Sequence, residues 1–564
     1  MDPIVFLILR RMRAPLVALI VAYAISILGL VLIPGRDAQG AEWHMDFFHA
    51  FYFVSYMATT IGFGELPYEF TPAQRLWTAF SIYLTVITWL YAIGKILTTV
   101  QDVTFRRVVT KRNFSRAVKR INEPYFIIAG YGDTGRMLVR SMDRRGLHSV
   151  VIDLDQERIN ELKLQTLAGY VPGLCADASV PAALLEAGLK HECCRGVVAL
   201  TNDDQINLEI AITSKLLSPD LLVICRAQSH AAEANMASFG TEYIINPFDS
   251  FGERLALALH SPGTHLLEEW LTGIPNSPLP MPLYPPHGAW ILCGYGRFGK
   301  AVQSSLEGEG VESVVIEADP EGTGCTGFCV VGRGTEAETL EAAGIDQAAG
   351  IVAGTDDDAN NLSIVMTAGE INPHLFRVAR QNRQDNDVIF EAARLDLVME
   401  RSEIIARKIL ATLTTPLLTE FLRETRTRSN DWANELVSRI SAVTGDLVPE
   451  IWTITLDREQ APAVREALTG AESVRLGLLL HDPGDRNEEL PCIPLMLARG
   501  SATFVIPKPD FVLRSGDRIL FCGSSGTARR IAWTLSNPNT LRYLLTGEER
   551  PEGWFWRWLA DRGL

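Results

Sequence analysis

The sequence of 564 residues predicts three kinds of structure in order: an all-α membrane part with two spanning helices and a re-entrant helix, two tandem α/β units with parallel sheets, and a small α+β unit at the carboxyl end. Three observations carry this prediction. Two long uncharged apolar stretches lie before residue 100, and a glycine-rich strand–turn–helix pattern occurs twice after residue 120. The mean hydropathy of +0.10 fits a chain that is part membrane-embedded and part water-exposed.

The composition excludes several classes of protein. With 47% apolar and 21% charged residues, the chain is not a disordered polymer, and its length calls for several cores. The net charge of −15 argues against nucleic acid as a partner, because proteins that bind the phosphate backbone carry an excess of Lys and Arg. The nine cysteines show no metal-type spacing, so we expect reduced and mostly buried thiols.

Residues 1–100 form the predicted membrane part. An apolar helix of about 20 residues crosses a bilayer, and we place two such spans at about 13–33 and 73–100. A signal peptide is the alternative for the first span, which is too long and lacks a cleavage site. Arginines precede the first span and a Lys/Arg cluster follows the second, so both termini are expected in the cytoplasm, below a plasma membrane such as the bacterial inner membrane.

A short aromatic stretch at 46–58 lies between the two spans. It is too short to cross the bilayer, which favours a re-entrant pore helix. It runs directly into residues 59–65, where Gly62 and Gly64 permit positive φ angles, so that successive carbonyl groups can point to one side. A ring of such carbonyls from several subunits can replace the hydration shell of a potassium ion. The alternative, an ordinary loop, does not explain the aromatic helix before it.

This segment resembles the selectivity filter of potassium channels, T-V-G-Y-G-D. The resemblance implies that K⁺ is the permeant ion and that the protein is a homotetramer, because each chain supplies one filter loop. Phe63 replaces the usual tyrosine, whose hydroxyl ties the filter to its helix, and Glu65 replaces aspartate. Two spans leave no room for a voltage sensor, so opening must be driven from elsewhere. The candidate filter residues are Thr59, Thr60, Ile61, Gly62, Phe63 and Gly64.

The second span also carries the candidate gate. Ile93 and Leu97, near its cytoplasmic end, offer a hydrophobic constriction that closes by dewetting, and Gly94 is the candidate hinge. Residues 101–123 follow as a basic, largely helical linker without Pro or Gly. Such a linker can transmit force to the pore.

Beyond the linker the chain repeats itself. Residues 125–132 match 289–296, which lie 164 positions later, and residues 196–204 match 350–358, which lie 154 positions later. Short apolar runs alternate with amphipathic helices in both copies, which predicts βαβ units and a parallel sheet. The predicted boundaries are 124–287 for the first domain with its crossover helix, 288–430 for the second with its own, and 431–564 for the α+β subdomain and tail.

Both copies carry a G-x-G-x-x-G turn between the first strand and the first helix, which is typical of Rossmann nucleotide-binding folds. The first glycine allows the tight turn, the second lets a pyrophosphate approach the backbone, and the third lets the helix pack on the strand. An acidic residue ends the second strand, where it can bind ribose hydroxyls. The candidate cofactor-binding residues are Gly130, Gly132, Asp133, Thr134, Gly135, Asp153 and Asp177 in the first copy, and Gly294, Gly296, Arg297, Phe298, Gly299, Glu317 and Arg333 in the second.

The two copies differ in charge at matching positions. Asp133 and Asp177 of the first copy correspond to Arg297 and Arg333 of the second. Our hypothesis is that the first site takes a dinucleotide such as NAD, and that the second favours a more phosphate-dominated ligand such as ADP. The alternative is that all four are solvated surface charges.

These features resemble the RCK domains, regulators of potassium conductance, which are related to nucleotide-binding subunits of bacterial potassium uptake systems. The resemblance includes the T-x-D-D-x-x-N-L run at Thr201–Leu208 and Thr355–Leu362, where Asp and Asn would cap helices. It implies crossover helices at Pro247–Leu271 and Glu400–Arg426, through which RCK domains pair. It also implies a ligand-gated channel in which eight RCK domains of four chains form a cytoplasmic gating ring.

Two further expectations concern metals and catalysis. Asp356, Asp357 and Asp358 offer oxygen ligands that suit Ca²⁺, with a solvated charge run as the alternative. The sequence shows no substrate domain and no proton-transferring His or Lys beside the glycine turns, which favours ligand sensing over an oxidoreductase. The rival interpretation is a nucleotide-sensing, membrane-anchored regulatory subunit of a potassium transporter, which would have no reason to keep the filter segment.

Overall fold

The computed structural model describes residues 3–64, 66–325, 329–470 and 473–548. It divides the chain into two compact units, residues 1–120 and 121–564, and each is described by itself. The predicted fold class is confirmed. Two apolar helices form most of the first unit, and the second contains two parallel sheets of six strands and one antiparallel sheet of four strands.

The helices and strands of the first unit are α1 (Pro3–Leu32), β1 (Gly35–Arg36), β2 (Glu42–Trp43), α2 (Phe47–Ala58), α3 (Pro72–Gln101) and α4 (Val103–Lys119). Within α1 and α3, the stretches Met12–Leu32 and Pro72–Thr99 are long and apolar enough to cross a membrane. Helix α3 begins sharply because Thr71 and Gln74 form a reciprocal capping box ahead of it.

Helices α1 and α3 pack side by side. A Cβ atom at Gly29 would lie 1.9 Å from the Trp77 ring, so the glycine lets the indole approach the backbone of α1. The Trp77 Nε1 donates a hydrogen bond to the Ser26 carbonyl oxygen at 3.1 Å, and the Trp89 Nε1 donates to the Tyr23 hydroxyl at 3.1 Å. Small residues and interhelical hydrogen bonds are typical of helix pairs in membranes.

The linker is helical but is separated from α3 by a break at Asp102. This residue has an extended backbone (φ −62°, ψ 126°), and its side chain accepts a hydrogen bond from the Phe105 backbone N–H at 3.0 Å. An aspartate side chain competes for backbone N–H groups and therefore favours helix starts over helix interiors. The break at Asp102 departs from the predicted continuous linker, which contains neither Pro nor Gly.

The first α/β half of the second unit contains β3 (Tyr125–Ala129), α5 (Asp133–Arg144), β4 (His148–Asp153), α6 (Gln156–Leu164), β5 (Gly173–Cys175), α7 (Pro181–Glu186), β6 (Cys194–Ala199), α8 (Asp204–Leu217), β7 (Leu222–Arg226), α9 (His230–Ser238) and β8 (Tyr243–Ile245). Its parallel sheet has the order β5-β4-β3-β6-β7-β8. From β3 to β5 the strands follow one another toward one edge of the sheet, and from β6 to β8 they follow one another toward the other edge. This change of direction opens a crevice at the carboxyl ends of β3 and β6.

The second α/β half contains β9 (Trp290–Cys293), α12 (Arg297–Gly308), β10 (Ser313–Glu317), α13 (Pro320–Thr323), β11 (Cys329–Val331), α14 (Ala337–Ala342), β12 (Gly350–Ala353), α15 (Asp358–Ile371), β13 (Phe376–Gln381), α16 (Asp387–Ala392) and β14 (Leu397–Glu400), and its sheet has the equivalent order β11-β10-β9-β12-β13-β14. Helix α13 is a single turn where the first half has α6, which accounts for the shorter second copy. Cys325 and Cys329 form a disulfide, so the expectation of nine free thiols is wrong at these two positions.

The two halves exchange their crossover helices, which are α10 (Pro247–His260) with α11 (Pro262–Thr272), and α17 (Arg401–Thr414) with α18 (Pro416–Thr425). Phe251 and Leu255 of α10 are buried in the core around Trp290 in the second half. Conversely, Ile405 and Ile409 of α17 are buried in the core of the first half. Each half therefore completes its core with a helix from the other.

The carboxyl-terminal lobe contains α19 (Asn430–Thr444), β15 (Glu450–Thr455), α20 (Pro462–Thr469), β16 (Cys492–Arg499), β17 (Ala502–Val505), β18 (Arg518–Gly523), α21 (Thr527–Ser536) and α22 (Pro538–Thr546). Its sheet is antiparallel, in the order β15-β18-β16-β17. The buried carboxylate of Asp517 accepts two hydrogen bonds from the Arg499 guanidinium, both at 2.8 Å. The tail from residue 549 onward lies outside the described residues.

Candidate functional site

Helix α2 ends where the candidate filter begins. Its N-cap is Asp46, whose side chain accepts a hydrogen bond from the His49 backbone N–H at 2.8 Å. Phe53 and Val54 on its buried face belong to one core cluster with Ile27 and Leu30 of α1. The carboxyl end of a helix carries partial negative charge, so α2 presents a terminus that favours cations next to the filter segment.

The filter backbone alternates between left-handed and ordinary conformations. Thr60, Gly62 and Gly64 have φ angles of 60°, 62° and 73°, while Ile61 and Phe63 between them do not have positive φ. This alternation turns successive carbonyl groups toward the same side of the chain. The glycines were expected to adopt it, but Thr60 was not, since a left-handed threonine costs about 1 to 3 kcal/mol.

Hydrogen bonds to the last turn of α2 hold the filter segment in place. The backbone N–H groups of Ile61 and Gly62 both donate to the Tyr56 carbonyl oxygen, at 3.0 and 3.3 Å. The Thr59 hydroxyl donates to the Ser55 carbonyl oxygen at 2.8 Å. The strained Thr60 is thereby fixed between a helix end and a hydrogen-bonded turn.

Two residues, Phe63 and Glu65, differ from the usual filter sequence. The Phe63 ring lies edge-on to the Tyr56 ring, with 6.1 Å between centroids, so an aromatic contact with α2 exists where the usual hydroxyl is missing. Glu65 lies outside the described residues.

The candidate gate residues lie on an unbroken stretch of α3. Ile93, Gly94 and Leu97 are all exposed within one chain, and a Cβ atom at Gly94 would meet nothing within 4 Å. The helix continues through Gly94, so the hinge and the constriction remain predictions.

The two glycine-rich turns have the same geometry. Gly130 and Gly294 have φ angles of 104° and 95°, which only glycine adopts without strain. A Cβ atom at Gly135 or Gly299 would lie 2.1 or 2.0 Å from the carbonyl oxygen of the first glycine of its turn, whereas one at Gly296 would meet nothing within 4 Å. The first and third glycines are therefore needed for folding, and Gly296 leaves room beside the backbone.

The acidic residues at the ends of β4 and β10 also brace the turns. The Asp153 carboxylate accepts hydrogen bonds from the backbone N–H groups of Tyr131 at 2.5 Å and Asp155 at 2.8 Å. Glu317 makes the same two contacts with the equivalent N–H groups at 2.5 and 2.9 Å. Both carboxylates are buried, and each oxygen keeps a lone pair that could accept a ribose hydroxyl.

Each turn opens into a cavity at the crevice of its sheet, with volumes of about 410 Å³ in the first half and about 510 Å³ in the second. All candidate residues of the first copy line the first cavity, and all those of the second copy except Gly299 line the second. The strand registers pair Asp153 with Cys175 and Glu317 with Val331, so Asp177 and Arg333, each two residues further on, are equivalent.

Several lining residues were missed by the sequence argument. Arg401 and Ser402, from the start of α17, line the first cavity, and Phe248 of α10 lines the second. No local pattern marks these residues, because the helix exchange brings them in from the other half. Arg226 and Arg380 also line the cavities, and their separation of 154 positions in the repeat was a usable signal.

The T-x-D-D-x-x-N-L run has a more specific role than helix capping. Asp203 and Asp357 are the N-caps of α8 and α15, as predicted. Asn207 is instead inside α8 and fully buried, where its side-chain amide accepts from the Thr201 backbone N–H and donates to the Arg226 carbonyl oxygen, at 3.0 and 2.9 Å. Asn361 makes the equivalent contacts in the second half. The asparagine therefore ties the loop after β6 to the end of β7.

The three carboxylates predicted to bind Ca²⁺ contact different partners. Asp356 pairs with Arg380 at 2.7 Å, and Asp357 caps α15. Asp358 accepts hydrogen bonds from the Asn382 backbone N–H and from the Asn386 side chain, at 2.7 and 2.6 Å. The calcium assignment remains a prediction. Among the described residues, one imidazole and two carboxylates that could hold a metal ion converge at His230, Glu233 and Asp249.

Comparison with known proteins matches this division of the chain. The family model described as ion channel covers residues 16–102, and the model described as TrkA-N domain matches twice, at 126–247 and 290–400. The chain combines an ion channel domain with two TrkA-N domains. The predicted resemblance to potassium channels with tandem RCK domains is thereby confirmed, and with its two apolar helices the chain is a membrane protein.

The most informative relatives are archaeal proteins named as potassium channels or as potassium uptake proteins. Potassium channel protein 1 of Methanocaldococcus jannaschii is 25% identical over 236 residues, which are 41% of this chain and 68% of that protein. Probable potassium channel protein 2 of the same organism is 25% identical over 224 residues, 39% of this chain and 62% of that protein. The Trk system potassium uptake protein TrkA homolog of Pyrococcus horikoshii is 29% identical over 136 residues, 22% of this chain and 60% of that protein. The chain thus spans about two thirds of the length of these relatives.

A solved structure of the GsuK channel bound to NAD aligns with 95% of this chain and 100% of its own, at 16% identity and a TM-score of 0.47. A GsuK structure bound to ADP aligns with 73% of this chain and 98% of its own, at 19% identity and a TM-score of 0.45.

Proposed function

We propose that this chain is the subunit of a homotetrameric, potassium-selective channel that adenine nucleotides open or close. The observation that carries the proposal is the alternating left-handed backbone of Thr60, Gly62 and Gly64 directly after the short helix α2. Four such segments around an axis would present rings of carbonyl oxygens to a dehydrated K⁺. The relatives named as potassium channels support the choice of ion.

The cytoplasmic control is assigned to the two TrkA-N domains. Each offers a glycine turn, a buried acidic residue and a cavity of nucleotide size at the crevice of its sheet. We assign NAD to the first site and ADP to the second, on the charge difference between Asp133 and Arg297 and between Asp177 and Arg333. Binding without catalysis suffices for this role, so the protein is proposed to be a sensor and not an enzyme.

The proposed coupling uses the helix exchange. Because α10 and α17 each complete the core of the opposite half, a ligand that shifts one half changes the packing of the other. Four chains would bring eight such domains into a gating ring below the membrane, with both termini in the cytoplasm. Helix α4 would carry the movement to α3, and Ca²⁺ is a further candidate effector.

Ion flux measured in lipid vesicles tests the proposal. The purified chain is reconstituted, and K⁺ and Na⁺ flux are recorded with and without NAD, ADP and Ca²⁺. We expect K⁺ flux to exceed Na⁺ flux and to change with nucleotide, and we expect the variant Gly62→Ala to lose the preference for K⁺ because alanine disfavours the left-handed backbone. Vesicles that stay impermeable under every effector would favour a regulatory subunit of a transporter.

A further inference from the structure

The first cavity contains a buried arginine that forms no ion pair among the described residues, although the Asp204 carboxylate acts on it from a distance and raises its pKa. Arg226 at the end of β7 is only 2% exposed, yet it lines this cavity. Its Nη1 donates a hydrogen bond to the Asn202 side-chain oxygen at 2.8 Å. Its Nε and Nη2 donate to no acceptor among the described residues, and no carboxylate there forms an ion pair with it. A buried charge without a counter-ion is costly, so this arrangement points to an anionic ligand.

A second arginine adds to the positive charge at this place. Arg401, the first residue of α17, comes from the other half of the unit and lines the same cavity. Burial and the neighbouring Arg401 lower the pKa of Arg226 to about 9. Burial and Arg380 also lower the pKa of Arg401, against the opposing effect of the Asp356 and Asp133 carboxylates.

The equivalent arginine of the second cavity has an internal counter-ion. Arg380 occupies the position of Arg226 and is 7% exposed. Its Nη1 pairs with the Asp356 carboxylate at 2.7 Å, and its guanidinium lies 5.2 Å from the centre of the Phe248 ring. Asp356 stands in the repeat where the first copy has Asn202. The two sites thus differ at one exposed position that contacts the buried arginine, by a neutral amide in the first and a carboxylate in the second.

We propose that Arg226 and Arg401 form a phosphate subsite in the first cavity, and that Asp356 fills the equivalent place in the second cavity with a carboxylate of the chain itself. A phosphate oxygen entering the first cavity can accept the hydrogen bond that Asn202 now receives, and the Asn202 amide can turn and donate to it. A carboxylate at this position would repel a phosphate from this subsite and neutralise the arginine, so that phosphate recognition in the second cavity is left to Arg297 and Arg333. The inference rests on the proposed nucleotide binding and adds the group that each site recognises.

The subsite defines which nucleotides the first site prefers. Ligands with a pyrophosphate, such as ADP or NAD, should bind there much more tightly than adenosine, because charge-assisted hydrogen bonds in a buried site are strong. The Asp133/Arg297 and Asp177/Arg333 positions, where Asp133 is half-buried and the other three residues are exposed, also differ in charge between the two cavities. The exposed Asn202/Asp356 position adds to this difference, because its side chain contacts the buried arginine of each cavity.

Photolabelling of the whole chain in lipid nanodiscs tests this inference for each site separately. The probe is 8-azido-ADP, and labelled peptides from 125–245 and 290–400 are quantified while adenosine, AMP or ADP competes. The variants are Asn202→Asp and Asp356→Asn, and Asn235→Asp is the matched control on an exposed position of α9. We expect Asn202→Asp to weaken ADP binding in the first half about tenfold or more, with adenosine binding unchanged. Asp356→Asn should strengthen ADP binding in the second half, and the control should change neither.

The outcomes separate this inference from the proposed function. If ADP competes equally well in the wild type and in Asn202→Asp while labelling persists, the subsite is refuted and nucleotide binding stands. If neither half of the wild type is labelled, nucleotide binding itself fails and the subsite with it. A thermal melt of each variant checks folding. Should Asn202→Asp not fold, Asp356→Asn decides the question, because unchanged ADP binding in the second half would refute the role of Asp356.

Discussion

At the scale of single residues, the glycines of one turn serve two different purposes. Gly299 lies against the first glycine of its turn, so that a methyl group has no space, whereas Gly296 has open space and a φ angle of −70°, which alanine adopts readily. The G-x-G-x-x-G motif predicts different roles for the two, the approach of a pyrophosphate for the second glycine and helix packing for the third. The structure assigns the third glycine to folding and leaves the second for the approach of a ligand.

This difference gives a paired prediction. Gly299→Ala should lower the free energy of unfolding by about 1 to 3 kcal/mol, because the new methyl group must displace backbone atoms. Gly296→Ala should leave that stability unchanged and weaken nucleotide binding at the second site. Thermal unfolding and ADP titration of both variants check the pair, and equal destabilisation by the two substitutions would contradict it.

A second residue-scale feature is a carboxyl group that resists ionisation. Burial, with Glu403, Asp387 and Asp133 nearby, raises the pKa of Glu400 from 4.5 to about 7, and its Oε1 has no hydrogen-bond partner among the described residues. A carboxyl whose pKa is raised in the folded state binds its proton more tightly there. Its contribution to stability is therefore complete below pH 4.5 and is lost as the pH rises toward 7.

We predict that Glu400→Gln stabilises the protein at pH 8 and not at pH 5. The gain should be about 1 to 2 kcal/mol, since the group is partly exposed and water screens part of the effect. Glu391→Gln is the control, because Glu391 is exposed on α16 and is not among the groups that raise the pKa of Glu400. Melting temperatures across this pH range test the prediction, and a wild-type-like pH profile for Glu400→Gln would refute it.

At the scale of elements, the helix exchange determines how the sites can be studied. An isolated first half would expose Phe251 and Leu255, which are buried in the second half, and would lose Ile405 and Ile409 from its own core. Burying a side chain of this kind contributes about 1.5 to 3 kcal/mol each. Separate domains are therefore poor substitutes for the whole chain in binding experiments.

The prediction at this scale concerns the end of α3. Leu97→Asp should raise K⁺ flux through reconstituted vesicles in the absence of ligand, because a carboxylate keeps a narrow apolar passage hydrated. Leu97→Val keeps the position apolar and should behave as the wild type. If flux is the same in all three proteins, Leu97 does not line the gate.

At the scale of the whole molecule, the proposed filter, with one segment per chain, requires four chains around a pore. The chain has a mass of 62.3 kDa, so we predict a detergent-solubilised particle containing four times this protein mass. Light scattering with subtraction of the bound detergent measures it. A particle of two chains would be incompatible with the proposed filter.

The sequence by itself determined the features that are local in the chain. The two spans, the short helix before Gly62 and Gly64, the two glycine turns and the acidic ends of β4 and β10 all follow from composition, spacing and residue type within short windows. The same local logic overlooked the left-handed Thr60 and the cap at Asp102, because each depends on hydrogen bonds whose partners the pattern does not specify.

Only the tertiary structure determined which residues that are distant in the chain contact one another at the two cavities. The exchange of α10 and α17, the entry of Arg401 into the first cavity, and the contrast between Arg226 with Asn202 and Arg380 with Asp356 join residues that are distant in the chain. Such contacts leave no periodic pattern, since burial and pairing depend on how whole elements pack. The packing of the fold therefore determines whether a buried guanidinium group has a carboxylate of the chain as its partner, as Arg380 has, or lacks one among the described residues, as Arg226 does.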